Sequence, residues 1–380
     1  MQKNIKITLI LITAMNLRLA VTAVTPLFSA IQRTLRVDST LTALLVTLPL
    51  LCFAGGAIVA PRLINRFGIR PLIFFTNGVL LLANLLRPLT TGTLLMGTLL
   101  IGLAVALLNV LVPTMVAQVT TTGAAARLTS YYAVTMNVVA AIGTAGAIPL
   151  AHLWGWQAVL MGFALPAAAT LIVAIRLPRH SFQQAVTTSA TQLSLGETLR
   201  HDPHAWKLTL FMGLQSLIFY SLTTWLPTIF QTLGASAALA GTLLAVFQVV
   251  GIPAALVLNA ITNLRRLLVL LVIGYLGGMA ALLWSGIGWW LAAGLLGFTC
   301  SLIFSLALTL IATSSQHVGV IANRSAIAQS LGYLLAAIGP VVFGRIHDSL
   351  GSWHPVLLIL LGLMLATIIS GLWVAQLPEK

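Results

Sequence analysis

The sequence predicts an all-α membrane protein whose twelve transmembrane helices form two pseudo-symmetric halves of six helices each. Of its 380 residues, 59% are hydrophobic and only 6% are charged, and the mean hydropathy is +1.06. A soluble domain contains about 25% charged residues, and no soluble fold of this length could bury so much apolar side chain. The spacing of the apolar segments and the placement of the basic residues support the same class.

Apolar segments of about 20 residues, the length that a helix needs to cross the hydrocarbon layer, recur along the chain. The first six occupy residues 5–31, 40–61, 71–90, 93–117, 128–151 and 156–175. The last six occupy residues 206–231, 237–260, 267–286, 289–313, 322–347 and 354–376. The longest polar stretch separates the two sets. The chain is therefore expected to consist of a first half (1–175), a cytoplasmic linker (176–205) and a second half (206–380).

The N-terminal segment has Lys3 and Lys6 before its apolar run, as a signal peptide does. No small-residue cleavage site is obvious, and Arg18 interrupts the run. We therefore interpret this segment as an uncleaved first spanning helix.

The net charge is +14, because nineteen Lys and Arg face only five Asp and Glu. With the N-terminus in the cytoplasm, fourteen of the basic residues fall on the cytoplasmic side and four, Arg33, Arg36, Arg87 and Arg345, on the other. Basic residues in short cytoplasmic loops orient membrane helices. Both termini are thus expected in the cytoplasm, with the protein in the plasma membrane. Nucleic-acid binding is not expected, because the basic residues form no run or domain.

No constellation typical of a soluble enzyme is visible, so we expect no enzyme activity, no metal and no cofactor. The five acids lie in loops or at segment ends: Asp38, Glu197, Asp202, Asp348 and Glu379. The two cysteines lie inside apolar segments and indicate no disulfide framework. The expected partners are a small-molecule substrate and the lipid bilayer, and the protein is expected to be a monomer.

Arg18 lies about half-way along the first apolar segment. A buried arginine is unfavourable in lipid and normally faces the bundle interior or a wet cavity. Its planar guanidinium suits a carboxylate or a similar anion. Helical spacing would put Met15, Thr22, Thr25 and Ser29 on the same face. Two interpretations remain open: Arg18 contacts a substrate, or it snorkels toward the membrane surface or bonds to carbonyls of a neighbouring helix.

Other polar and aromatic residues near mid-membrane are candidates for the same site, although hydrogen bonds between helices are an alternative for each. Segment 7 is the richest, with Gln215 and Tyr220, and Gln329 and Tyr333 lie one turn apart in segment 11. The predicted substrate-binding residues are Arg18, Thr22, Asn109, Asn137, Gln215, Tyr220, Gln329 and Tyr333.

The loop between segments 2 and 3, residues 61–70, resembles the cytoplasmic signature of major facilitator transporters, G-x-L-a-D-R-x-G-R-[KR]. Leu63, Arg66, Gly68 and Arg70 match it, whereas Asn65 replaces the acid and Pro61 replaces the first glycine. The resemblance implies the major facilitator fold and a cytoplasmic gate loop formed by Asn65, Arg66, Gly68 and Arg70.

Three further stretches resemble the cyanate and 2-nitroimidazole transporter family (CynX/NimT) within that superfamily: Asn16-Leu17-Arg18, Trp225-Leu226-Pro227 and Ala328-Gln329-Ser330-Leu331-Gly332-Tyr333. This resemblance implies a secondary active or facilitative transporter that moves a small polar or anionic organic compound by alternating access. The alternative within transporters is a proton-driven exporter of drugs or toxic compounds. Thr98 stands near Gly102 in segment 4, where such exporters often have an arginine. A membrane-embedded sensor or enzyme would need an effector domain or a catalytic constellation.

Overall fold

The computed structural model describes residues 2–119, 122–177, 182, 200–254, 257, 264–312, 314–315 and 318–375, and the regular elements among them are helices. The chain divides into two compact units, Met1–Thr187 (the first unit) and Thr188–Lys380 (the second unit). The predicted linker 176–205 falls largely outside the described residues.

The helices of the first unit follow the predicted apolar segments, with additional breaks. They are α1 (Gln2–Met15), α2 (Leu19–Thr22), a 3-10 helix (Thr25–Leu27), α3 (Phe28–Leu35), α4 (Ser39–Phe67), α5 (Ile69–Leu86), α6 (Thr91–Val119), α7 (Thr122–Gly162) and α8 (Leu165–Ile175).

The first apolar segment is a series of short helices, which corrects the prediction of a single one. The chain leaves helical geometry between α1 and α2, where Arg18 has φ −125° and ψ −32°. Pro26 then lies in the first turn of the 3-10 helix, a position where its missing N–H is tolerated. Within α2 the Thr22 amide still bonds to the Arg18 carbonyl at 2.9 Å, but the turn at residues 23–24 interrupts the helical spacing between Thr22 and Thr25.

Two glycines with positive φ separate helices that are otherwise nearly continuous. Gly68 (φ +79°) lies between α4 and α5. Gly155 (φ +81°, ψ +153°) divides α7 into two helices close to the predicted boundary between segments 5 and 6. Glycine has no Cβ to clash in this region of backbone space, so the chain can turn sharply there. The second part of α7 and α8 together occupy the predicted segment 156–175, with a turn at residues 163–164 between them.

The second unit contains α9 (Pro203–Thr232), α10 (Ala237–Val249), α11 (Leu264–Ala281), α12 (Ile287–Ala312), α13 (Val318–Leu350) and α14 (His354–Ala375). Glycines bring α9 and α13 together: a Cβ on Gly213 would lie 3.3 Å from the Cα of Gly332, and one on Gly344 would lie 2.7 Å from Trp225. Small residues allow such close helix approach. The Trp225 indole donates to the Pro340 carbonyl oxygen at 2.8 Å and ties the same two helices.

Eight segments among the described helices are long and apolar enough to cross a membrane: Asn4–Leu35, Ser39–Gly56, Ile69–Leu86, Thr91–Val116, Tyr131–Gly162, Ile287–Ile311, Asn323–Leu350 and His354–Val374. Three further apolar helices, Leu165–Ile175, Ala237–Val249 and Arg266–Ala281, are shorter. Helix α9 is long enough, but its glutamine, serine and threonine residues make it more polar than the eight. The described chain is therefore an all-helical, multi-pass arrangement, and the count of twelve spans stays a prediction.

Candidate functional site

The break between α1 and α2 brings together two of the predicted site residues. Arg18 is half-buried, and its Nη1 donates to Oδ1 of Asn137 in α7 at 2.8 Å. The amide oxygen accepts a hydrogen bond but carries no charge, so this bond orients the guanidinium without neutralising it. The pair presents an oriented cation inside the first unit.

Thr22 is only 2% exposed, and its hydroxyl donates to the Arg18 carbonyl oxygen at 3.1 Å. The hydroxyl of Thr25 donates to the Thr22 carbonyl in turn, at 3.0 Å. Both threonines therefore bond to the backbone of the broken segment. Asn109 is exposed on α6. Among the described residues, no hydrogen bond joins it to Arg18 or Asn137.

The second unit brings together Tyr220 of α9 and Tyr333 of α13. Both are half-buried, and their rings meet edge to face with centroids 6.3 Å apart. Phe219 packs against Tyr220 with a centroid distance of 5.2 Å. Gln329, one turn before Tyr333, is half-buried and donates to the Ser325 hydroxyl at 2.8 Å. The phenols supply apolar surface with a polar end, a combination that suits a small ring-shaped ligand.

Gln215 is more deeply buried than the Tyr220–Tyr333 pair. It is 1% exposed, and its Nε2 donates to the Met212 carbonyl at 3.0 Å and to the Ser216 hydroxyl at 2.6 Å. These bonds stay within α9, so the amide is used inside its own helix.

The predicted gate loop spans the junction of α4 and α5. Arg66 is exposed, and its guanidinium lies over the Phe67 ring at 5.3 Å. Arg70 lies over the Phe74 ring at 5.2 Å, and its Nη2 donates to the Leu177 carbonyl at 3.3 Å. Arg70 thus joins the start of α5 to the chain just after α8. The Asn65 side chain lies outside the described residues.

A polar cluster in the first unit was not among the predicted residues. Nδ2 of Asn16 lies 3.4 Å from Oδ1 of Asn77 and 3.4 Å from the Thr170 hydroxyl, which connects the end of α1 with α5 and α8. All three residues are buried. The signal in the sequence is Asn77, an amide in the middle of an apolar segment.

Arg87, which the sequence predicts on the non-cytoplasmic side, is completely buried in the first unit. It follows the last residue of α5, it is 0% exposed, and its Nη1 donates to the Ala20 carbonyl at 3.0 Å. In the sequence it lies near the end of the predicted segment 71–90. Asn77, Asn84 and Arg87, at separations of seven and three residues, mark one face of α5, and that spacing could have indicated burial.

Asp202 and Arg324 form a two-bond ion pair in the second unit, with Nε–Oδ2 at 2.6 Å and Nη2–Oδ1 at 3.2 Å. Arg324 also donates to the Ser314 carbonyl. Burial raises the pKa of the Asp202 carboxyl, but the Arg324 guanidinium and the amides of Ala205 and His204 outweigh it and hold that pKa below its usual value. The residues are 122 apart in the chain, so spacing gave no indication of the pair.

Among the described residues, no group of three His, Cys, Asp or Glu side chains could hold a metal ion. What the arrangement offers instead is the Arg18–Asn137 pair in the first unit and the Tyr220–Tyr333 pair in the second.

Comparisons with known proteins concern the family and the fold of the chain. The family model of the Major Facilitator Superfamily matches residues 10–337. The chain is 34% identical over 354 residues to the 2-nitroimidazole transporter of Escherichia coli (strain K12), covering 90% of this chain and 88% of that protein. It is 24% identical over 381 residues to the cyanate transport protein CynX of the same organism, covering 94% and 95%. The crystal structure of a D-xylose-proton symporter superposes with a TM-score of 0.75 at 14% identity, covering 99% and 97% of the two chains, which concerns the fold alone.

Proposed function

Because the chain belongs to the Major Facilitator Superfamily, we propose that it transports a small polar or anionic organic compound across the plasma membrane by alternating access. Membership in this superfamily establishes that the protein is a multi-pass membrane transporter of a small molecule and not an enzyme. The relatives also confirm the resemblance to cyanate and 2-nitroimidazole transporters that the motifs indicated.

The observation that carries the anionic part of the proposal is the Arg18–Asn137 pair. A guanidinium inside a membrane protein must find water, an anion or several carbonyl oxygens. Nη1 of Arg18 donates to the Asn137 amide oxygen at 2.8 Å, and this uncharged acceptor orients the guanidinium without neutralising its charge. Arg18 is half-buried, so part of it remains accessible. A small anion on that guanidinium would gain a charge-assisted hydrogen bond.

The proposal includes three further features of the molecule. The chain crosses the membrane twelve times, with α9 and the three shorter apolar helices adding to the eight longer spans. Both termini lie in the cytoplasm, because this orientation places fourteen basic residues on the cytoplasmic side. The transporter works as a monomer without nucleic acid. Tyr220 and Tyr333 contribute ring contacts to the substrate, and Gln329 and Asn109 contribute polar contacts.

The two compounds in the relatives' names provide a direct test. Purified protein is heated with cyanate, an anion, or with 2-nitroimidazole, and the rise in Tm is measured as a function of ligand concentration. A ligand that binds the folded state stabilises it by about 2.7 kcal/mol at 100 times its Kd. We expect at least one of the two to bind, and Arg18→Gln to weaken cyanate binding more than 2-nitroimidazole binding.

Arg18→Lys should restore part of the cyanate affinity, because lysine keeps the charge but lacks the planar fork. Arg33→Gln is the matched control, since Arg33 is exposed on α3. If neither compound shifts Tm in the wild-type protein, or if Arg18→Gln and Arg33→Gln behave alike, the anion-binding proposal is wrong. Unchanged export of hydrophobic cations in Arg18→Ala would favour the drug-exporter alternative.

A further inference from the structure

The short helix α2 lacks the length to hold its own shape. It contains only four residues, Leu19–Thr22, and it follows directly on Arg18. Forming a first helical turn is unfavourable, so isolated short helices are marginal. In the chain after α2, the Ala23 amide bonds to the Leu19 carbonyl and the Leu27 amide to the Val24 carbonyl. No backbone amide among the described residues bonds to the Ala20 carbonyl.

Arg87 supplies the missing donor. Its Nη1 lies 3.0 Å from the Ala20 carbonyl oxygen, across 67 residues of chain. Gly97 of α6 makes room for it, since a Cβ there would lie 3.0 Å from the Arg87 Cβ. Gly143 of α7 leaves space for Leu19 and Ala23. Helix α2 is therefore in contact both with Arg87 and with α7, the same helix that carries Asn137.

The buried guanidinium of Arg87 is unfavourable for the stability of the fold. Its Nε and Nη2 are buried, and neither has an acceptor among the described residues. Leaving buried donors of a charged group unpaired is unfavourable by several kcal/mol, and a well-packed apolar side chain in such a place is often neutral or stabilising. Among the described residues, the one hydrogen bond of its guanidinium reaches the Ala20 carbonyl, two residues beyond Arg18.

We propose that Arg87 is a positioning residue for the substrate site: by binding the Ala20 carbonyl it fixes α2, and thereby the direction in which Arg18 presents its guanidinium. The inference rests on the proposed role of Arg18 in anion binding. Arg87 itself does not touch the substrate. Its removal acts through the backbone of residues 18–22.

The first measurement needs no ligand. Hydrogen exchange of the backbone amides of residues 19–24 is followed by mass spectrometry on purified wild-type, Arg87→Met, Arg87→Lys and Arg33→Met proteins. We expect Arg87→Met to raise the exchange rate of this segment about tenfold, because the segment loses its external hydrogen bond. Arg87→Lys keeps a donor and should restore much of the protection, and Arg33→Met should match the wild type. Equal exchange in all four proteins would overturn the proposal.

The second measurement is a double-mutant cycle on cyanate affinity. If Arg87 acts through Arg18, Arg87→Met alone weakens binding about tenfold but has little further effect in an Arg18→Gln background. Independent, additive losses would show a separate electrostatic effect and overturn the positioning role. Tm is recorded for every variant. A large loss of Tm in Arg87→Met, with unchanged affinity in the folded fraction, would show that Arg87 only stabilises the fold.

The two proposals fail differently. If the wild type binds neither cyanate nor 2-nitroimidazole, the proposed function fails, and the exchange measurement still decides whether Arg87 fixes α2. If the wild type binds cyanate through Arg18 and Arg87→Met changes neither exchange nor affinity, only the positioning inference fails.

Discussion

Arg18 and Arg87 of the first unit lie within its predicted apolar segments, and a neutral oxygen accepts a hydrogen bond from each. Arg18 bonds to the Asn137 amide oxygen and Arg87 to the Ala20 carbonyl oxygen. The two differ in exposure: Arg87 is completely buried, whereas Arg18 is half-buried. This difference in exposure gives the two residues different proposed roles. Only an accessible cation can exchange partners with a substrate, so Arg18 is assigned to substrate binding and Arg87 to positioning.

A carboxylate placed beside Arg18 tests this assignment. Asn137→Asp would introduce an acid where the guanidinium now meets an amide oxygen 2.8 Å away. The resulting ion pair would compete with an anionic substrate, and a charged hydrogen bond contributes about 1.5–3 kcal/mol, equivalent to at least a tenfold change in affinity. We expect weaker cyanate binding by about that factor, with 2-nitroimidazole affected less, measured by the shift in Tm.

Thr135→Asp is the control for that experiment, because it adds the same charge two residues earlier on α7, which turns it toward another face. Equal losses for Asn137→Asp and Thr135→Asp would mean that the added charge acts at long range, and the direct contact with Arg18 would then be excluded as the cause.

At the scale of elements, helix ends and helix pairs decide which groups meet. Asp202 caps α9 by accepting from the amides of His204 and Ala205, and the same carboxylate pairs with Arg324 of α13. Close to their other ends the two helices are tied by the Trp225 indole and the Pro340 carbonyl. The α9–α13 pair is thus fixed at two separated points, and the Tyr220–Tyr333 contact lies on the same two helices.

The ion pair predicts a pH dependence of stability. The pKa of Asp202 in the folded protein is below its usual 3.8. Its contribution to the free energy of unfolding is therefore fully present above pH 3.8 and is lost as the pH falls through the lower folded value. Asp202→Asn retains a capping side chain but removes the charge, and we expect it to destabilise the protein by about 1 kcal/mol at pH 7.

The measurement is Tm of the wild type, Asp202→Asn and Arg324→Gln at neutral and acidic pH. Both variants should lie below the wild type at pH 7, and the gap for Asp202→Asn should narrow below pH 3.8. A gap that is the same at both pH values would show that the carboxylate charge contributes nothing.

For the whole molecule, membership in the Major Facilitator Superfamily and the eight long apolar spans establish a multi-pass transporter. The placement of its basic residues predicts the orientation of the protein in the membrane, with both termini in the cytoplasm. Both inferences depend on sums over many residues, so no single contact decides them.

Labelling of single cysteines tests the orientation. In a background where Cys52 and Cys300 are replaced by alanine, a membrane-impermeant thiol reagent added outside intact cells should label Ser39→Cys and fail to label Ser189→Cys. Ser39 begins α4, and Ser189 lies in the predicted cytoplasmic linker, outside the described residues. Permeabilised cells, in which both should react, are the control. The reverse pattern would place the termini outside.

The sequence by itself determined the class of protein and most helix positions, because apolar run length and charge placement are local properties that lipid selects directly. It also identified Arg18 and Asn137 as polar residues in apolar segments. Only the tertiary structure decided which polar groups meet. The Thr22 hydroxyl bonds to the Arg18 carbonyl, Gln215 finds its partners within α9, and Arg87 is buried against the carbonyl of Ala20. These outcomes depend on contacts between residues far apart in the chain, and no spacing rule encodes such contacts.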